Sequence, residues 1–309
     1  MNRIKTKQRM KWASDAQATK LRKKIGHIVI SVIVYALLIE FVFIFLYPYL
    51  NMFIKSLQFE EDLQDVNRTW VLTGLNFYNY AQAIKGLDYW KTLLNNILIV
   101  GLSTVGHVFS CSLAGYGLSR FKFPGHRLMF GIVLLSIIIP EVLLIMPMNI
   151  QFLKWGWMGS MATIIVPSFL GFGLRGGLYI YIFRQFFRGL PRSYEESAKL
   201  EGCSQLGVFY RIMLPIGKTS ILVVATLSII WHWNDYLEPR SFLSSANWML
   251  AQKLDALPSY LYWAQSATGE TVSPVQLAAA ALVTLPILIV FAFIQKNFVK
   301  GIEFSGLAN

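Results

Sequence analysis

Residues 191–215, a polar interruption between two apolar runs, carry the residue types best suited to recognising another protein. Ser193 is placed to cap a short helix whose first turn holds Glu195 and Glu196, where carboxylates suit the positive end of the helix dipole. Gly202 stops that helix. Ser204 is placed to cap a second one with Leu206, Phe209, Tyr210 and Met213 at helical spacing, and Pro215 ends it. Two short helices meeting at a glycine corner make a rigid lever, with Gly202 free to take a positive φ. An aqueous loop gains nothing by showing Leu206, Val208, Phe209 and Tyr210 to water. A helix lying in a partner's groove does.

The elements that hold this segment are set by composition. Hydrophobic residues make up 55% of the 309, charged residues 14%, and mean hydropathy is +0.50, against about 25% charged for a soluble domain. The chain reads as an all-α integral membrane protein. Apolar runs long enough to cross a bilayer fall at about 27–50, 92–117, 128–150, 161–183, 216–237 and 274–295, so six transmembrane helices are expected, with both termini on one side. Nine of the 28 Lys and Arg precede Gly26, and twenty lie on the side of the termini and the 191–215 segment. The positive-inside rule makes that side cytoplasmic. The net charge of +12 therefore reports orientation and contact with lipid headgroups, not a nucleic-acid partner. The organisation expected is a basic cytoplasmic segment 1–26, a six-helix transmembrane domain 27–295 containing the cytoplasmic segment 189–215, and a cytoplasmic tail 296–309. The first span is too long for a signal-peptide core and reads as a retained helix. Residues 55–90 read as a polar outer loop packed on the helix ends, and 241–273 as the longest late loop.

The spacing Glu196-Ser197-Ala198, three residues, Gly202, nine residues, Ile212-Met213-Leu214-Pro215 resembles the "EAA" signature of the membrane subunits of ATP-binding-cassette (ABC) importers. Ser197 replaces the usual alanine, small for small. The likeness extends to Ala114-Gly-Tyr-Gly-Leu-Ser-Arg-Phe-Lys-Phe-Pro-Gly125, to Trp233-Asn234-Asp235-Tyr236 and to Phe298-Val299-Lys300-Gly301-Ile302, and the last two are similar to features of the carbohydrate-importing branch. The resemblance implies the ABC type I importer permease fold, a bacterial plasma-membrane location, and a role as half of the translocation path for a sugar, in particular an oligosaccharide. It also implies the partners: a second homologous permease, two cytoplasmic ATPase subunits carrying the ATP and Mg, and an extracellular sugar-binding protein. Glu196 would face a basic residue of the ATPase. The second helix would transmit ATPase closure to the spans, with ATP and the loaded binding protein favouring the outward-facing state by binding it more tightly.

Within the apolar runs, Glu40, Glu141 and Arg175 need partners, because a charge at bilayer depth costs about 2.5–3.5 kcal/mol even on lenient scales. They either neutralise one another, or a partner's charges, to fix packing, or they line a hydrophilic path for a polyhydroxylated substrate. Pro140, Pro147, Pro167, Gly171 and Gly173 are expected to break the third and fourth spans. Trp231, Trp233 and Tyr236 either offer flat faces to sugar C–H groups, with His232, Asn234 and Asp235 as hydroxyl partners, or form an interfacial belt. The outer stretch with Pro258, Tyr260, Tyr262 and Trp263 resembles in position the loop that reaches into the binding protein in maltose-type permeases. No nucleotide-binding loop is present, the glycines of 171–177 suit close helix packing, and the four histidines are scattered. Cys111 and Cys203 lie too far apart in the expected topology to pair, and neither sits at metal-ligand spacing. No enzyme site, bound cofactor or metal is expected. An ion-coupled carrier using Glu40 or Glu141 as a proton site is the alternative, and the docking signature weighs against it.

Overall fold

The computed structural model describes residues 2–64, 70, 72–264 and 273–306. They form two units, Met1–Leu75 and Asn76–Asn309. In the first, α1 (Asn2–Ser56) is a 55-residue helix, and its stretch Gly26–Ser56 is long and apolar enough to cross a membrane with none of its most apolar window buried. Leu38, Phe41 and Phe45 are all exposed on it. A helix apolar on every side belongs in lipid or against other helices. Glu40 is exposed on the same helix. The short α2 (Glu60–Gln64) carries three acids in its first turn, and the Thr73 hydroxyl donates to Asp62 at 2.6 Å.

The second unit is built around α4 (Tyr89–Arg120), which packs on α7 (Ala162–Phe169), α8 (Gly176–Gly189) and α12 (Lys218–Asn234). Small residues make this close. A Cβ on Gly115 would lie 2.6 Å from the Cβ of Phe183, and one on Gly106 would lie 2.8 Å from the Phe169 ring. Backbone approach of this kind drives helix association where lipid tails compete for apolar contact. Two cores result. One gathers Ile99, Ile164, Leu250, Leu257 and Ala278 with Leu87 of α3 (Tyr78–Leu87). The other gathers Tyr116, Phe183, Phe187, Phe209 and Met213.

The expected spans differ in form, with breaks in the third and fourth runs at Pro140, Gly171 and Gly173 as expected, whereas Pro167 lies inside α7 and makes none. Three are single helices: in α1, in α4, and over Pro274–Gln295 of α15 (Pro274–Gly306). The run 128–150 is instead α5 (His126–Ile138) and α6 (Val142–Trp155), bent by 108°. Pro140 lies in the break, whereas Pro147 sits inside α6 and breaks nothing. The run 161–183 is split into α7 and α8 by residues 170–175, where Gly171 (φ +72°) and Gly173 (φ +103°) turn the chain in a conformation that L side chains resist. By length and composition, three to five helices or bent pairs could cross a membrane among the described residues. Non-helical backbone at such depth persists only where protein buries it or a cavity meets it.

Two loop expectations are also corrected. Residues 78–87 form α3, packed on α4, α14 (Leu250–Ala264) and α15, and 250–264 of the expected loop 241–273 are helix. Leu250, Leu254 and Leu257 recur at helical spacing, and Leu250 and Leu257 are 1% exposed, so this helix is fixed by burial. No strand occurs among the described residues, only a bridge between Gly159 and Leu243.

Candidate functional site

The polar interruption folds into α9 (Ser193–Leu200) and α10 (Gln205–Val208), followed by a π turn over Phe209–Met213 and the single turn α11 (Leu214–Ile216). Ser193 does not cap α9. Arg192 is already helical, and its carbonyl accepts from the amides of Glu195 and Glu196 at 3.0 and 3.1 Å, which places Ser193 inside the first turn. Gly202 takes φ +82°; its amide donates to the Lys199 carbonyl and that of Cys203 to the Ala198 carbonyl, each at 3.0 Å. These bonds close the helix end in the manner of a left-handed C-cap. Ser204 caps α10, accepting from the Gly207 amide at 3.1 Å.

Pro215 does not end the second helix, a further correction. It sits in α11, and the turn comes at Gly217, where the stretch Gln205–Ile216 meets α12 at 76°. Val208 and Phe209, expected on the surface, are 0% and 1% exposed and pack with Met213 in the second core, with Ile212 and Leu214 half-buried beside them. The exposed face holds Leu200 (90%), Leu206 (61%) and Tyr210 (43%) with Glu196 and Ser197, while Ala198 is buried beneath it.

Glu195, read in the sequence only as a dipole-compensating acid, turns inward. Its carboxylate meets Arg120 Nε at 2.7 Å, with the two side chains 10% and 6% exposed, and Arg120 Nη2 donates to the Leu190 carbonyl at 2.9 Å. The corner is thereby tied to the end of α4. Removing one partner strands a buried charge, a loss of about 3–5 kcal/mol in comparable sites. Arg120→Ala is expected to lower the detergent melting temperature clearly, while Arg120→Lys recovers part of it.

The candidate path residues separate into groups. Glu141 precedes α6 and Arg175 precedes α8, so each charge sits at a helix break. Arg175 Nε meets Glu141 Oε1 at 3.1 Å, and the guanidinium lies 5.3 Å from the centre of the Trp231 ring, within cation–π range. Beside them opens a cavity of about 250 Å³, lined also by Phe172, Met148 and Glu238. Trp233 is elsewhere: it is 7% exposed, and its indole donates to the Val283 carbonyl of α15 at 3.3 Å. Asn234 bonds to the Ile230 carbonyl of its own helix. Asp235 accepts from the amides of Leu237 and Glu238 at the start of α13 (Leu237–Phe242), and Tyr236 donates to Asp255 of α14 at 2.8 Å. His232 is buried, bonded to the Ser228 carbonyl at 2.9 Å, with its ring 5.2 Å from that of His107. Glu238 was missed in the sequence because it follows the aromatic run, outside the apolar windows. Pro258 is exposed on α14, and the side chains of Tyr260, Tyr262 and Trp263 lie outside those described.

A family model described as "Binding-protein-dependent transport system inner membrane component" matches residues 106–304, more than half of the chain. The polygalacturonan/rhamnogalacturonan transport system permease protein YtcP of Bacillus subtilis is 27% identical over 279 residues, covering 88% of this chain and 95% of the relative. The arabinooligosaccharides transport system permease protein AraQ of the same organism is 27% identical over 267 residues, covering 85% and 91%. Protein LplC of that organism is 31% identical over 240 residues, covering 74% and 76%. The fold matches a crystal structure of a bacterial ABC transporter involved in the import of the acidic polysaccharide alginate, with a TM-score of 0.70 at 20% identity over 87% of this chain and 96% of that one. With more than half its length matched and its all-helical fold that of a type I importer permease, the chain belongs to the binding-protein-dependent transport system inner membrane component family, the non-enzymatic multi-pass subunits of ABC importers.

Proposed function

We propose that this subunit crosses the membrane six times and forms half of a path for oligosaccharides, pairs with a second homologous permease, and is driven by two cytoplasmic ATPase subunits that hold the ATP and Mg. The observation that carries the coupling role is the exposed apolar face of Leu200, Leu206 and Tyr210 on a corner fixed by Gly202 and by the Arg120–Glu195 pair. Such a face is costly in water and suits a groove in another protein. Glu196, exposed on the same face, would meet a basic residue there. The sugar assignment draws on the relatives named for polygalacturonan and arabinooligosaccharide transport. An extracellular binding protein would deliver the sugar, with the end of α14 around Pro258, Tyr260, Tyr262 and Trp263 as its contact.

The test is ATP-dependent uptake of labelled oligosaccharides by the complete complex in proteoliposomes. Leu200→Asp with Leu206→Asp is expected to abolish uptake and co-purification of the ATPase without loss of membrane insertion. Normal uptake with the ATPase still bound would overturn the docking assignment.

The charge distribution supports a cytoplasmic position for both termini. In a Cys203→Ser background, a cysteine at exposed Lys85 is expected to react with an impermeant thiol reagent from outside, and one at exposed Lys122 only after lysis. The reverse pattern would overturn the orientation.

A further inference from the structure

The cavity beside Arg175 contains one group that the protein leaves without a partner. Glu238, on α13, lines it and is 7% exposed, yet among the described residues no donor reaches its carboxylate. Its surroundings make matters worse for a charge, since Asp235 and Glu141 both act on it electrostatically. A buried polar group without a hydrogen bond is costly, and an acid in a cavity is relieved most directly by a ligand that donates to it.

Charge and shape narrow the ligand. The charged residues lining the cavity are Glu141, Arg175 and Glu238. Arg175 is already paired with Glu141 at 3.1 Å, so the cavity has no spare cation whether Glu238 is ionised or protonated. A carboxylate entering here would face two acids and one neutralised arginine, and like charges at close range cost several kcal/mol. Hydroxyl groups suit the site: they donate to Glu238 and accept from the guanidinium. Phe172 and Met148 supply apolar wall for a ring's C–H face, and Gly173 and Gly176 leave backbone bare beside it. The volume of about 250 Å³ is many times the roughly 10–15 Å³ that a single water needs, room for a solute the size of one sugar ring.

We propose that this cavity is a subsite for one residue of a neutral sugar, with Glu238 as the hydroxyl acceptor, and that it disfavours uronates. This rests on the sugar-importer reading and sharpens it, because one relative is named for an acidic polymer and another for a neutral oligosaccharide.

The experiment uses the complete complex in proteoliposomes, with an arabino-oligosaccharide and an oligogalacturonate of equal length as probes. The wild type is expected to import the neutral probe at least about tenfold better, a discrimination of about 1.4 kcal/mol. Glu238→Gln, nearly isosteric, is expected to raise the neutral probe's KM several-fold and to leave uptake of the acidic one unchanged or increased, with Glu238→Asp in between. Equal import of both probes, or an unchanged neutral KM in Glu238→Gln, overturns the subsite. ATP-dependent uptake of neither probe by the wild type would instead overturn the sugar-importer reading on which it rests. A measurement free of Glu238 variants supports the same decision: a cysteine at Ser136, which lines the cavity, should be protected from a thiol reagent by the neutral probe and not by the acidic one. Equal protection by both overturns the proposal.

Discussion

Gly202→Pro is expected to reduce transport to background and to release the ATPase subunits, while the protein still inserts in the membrane. Gly202 holds φ +82°, and its amide donates to Lys199 at 3.0 Å. Proline locks φ near about −65° and has no amide proton, so it loses both features at once. The helix axes would then diverge at the corner, and Leu200 and Leu206, on either side of it, could no longer present one surface. Alanine is the graded control. A side chain in the left-handed region costs about 1–2 kcal/mol, and nothing lies within 4 Å of where the Cβ would be, so only backbone strain is added. Gly202→Ala should therefore keep partial transport. Uptake and ATPase co-purification decide the matter, and normal values for Gly202→Pro would remove the corner from the coupling path.

The parts of this site legible in the sequence are those set by local backbone chemistry. Gly202 and Ser204 are examples, since a left-handed turn selects glycine and a helix start selects a side-chain acceptor. Which face of the second helix points outward was not legible. Val208, Phe209, Ile212 and Met213 share one face and Leu206 and Tyr210 another, both apolar, so spacing alone does not say which of the two is buried against the second core. The breaks in the third and fourth apolar runs were legible in Pro140, Gly171 and Gly173, but the positive φ of Arg175 (+60°), which also turns residues 170–175, was not, because a side chain other than glycine's rarely adopts it. The α14 helix could have been read from Leu250, Leu254 and Leu257, and its proline, Pro258, and its aromatics drew attention to a loop instead. The Arg120–Glu195 and Glu141–Arg175 pairs join residues far apart in the chain. Local spacing carries no information about such pairs; only a charge's need for a partner could be stated.

That need leaves two roles for Glu141 and Arg175, packing and path, and their variants distinguish them. Arg175→Glu is expected to cut transport at least about a hundredfold, or about 2.7 kcal/mol, because it sets two acids against each other beside Glu238 at the break before α8. The swap Glu141→Arg with Arg175→Glu should recover part of it. The recovery is incomplete, since the arginine would no longer lie over Trp231. Stability should respond much less. The side chains are 47% and 31% exposed, so screening keeps the pair near about 1 kcal/mol. The decisive variant replaces both charges by methionine. If the pair only fixes packing, an apolar pair of similar volume should serve as well or better, and both melting temperature and uptake should stay near wild type. If the pair lines the path, the melting temperature should hold while uptake falls at least about tenfold, because polar groups that would meet a hydroxylated solute are gone. Retained uptake in the double methionine variant would assign the pair to packing and leave Glu238 as the one charged side chain lining the cavity.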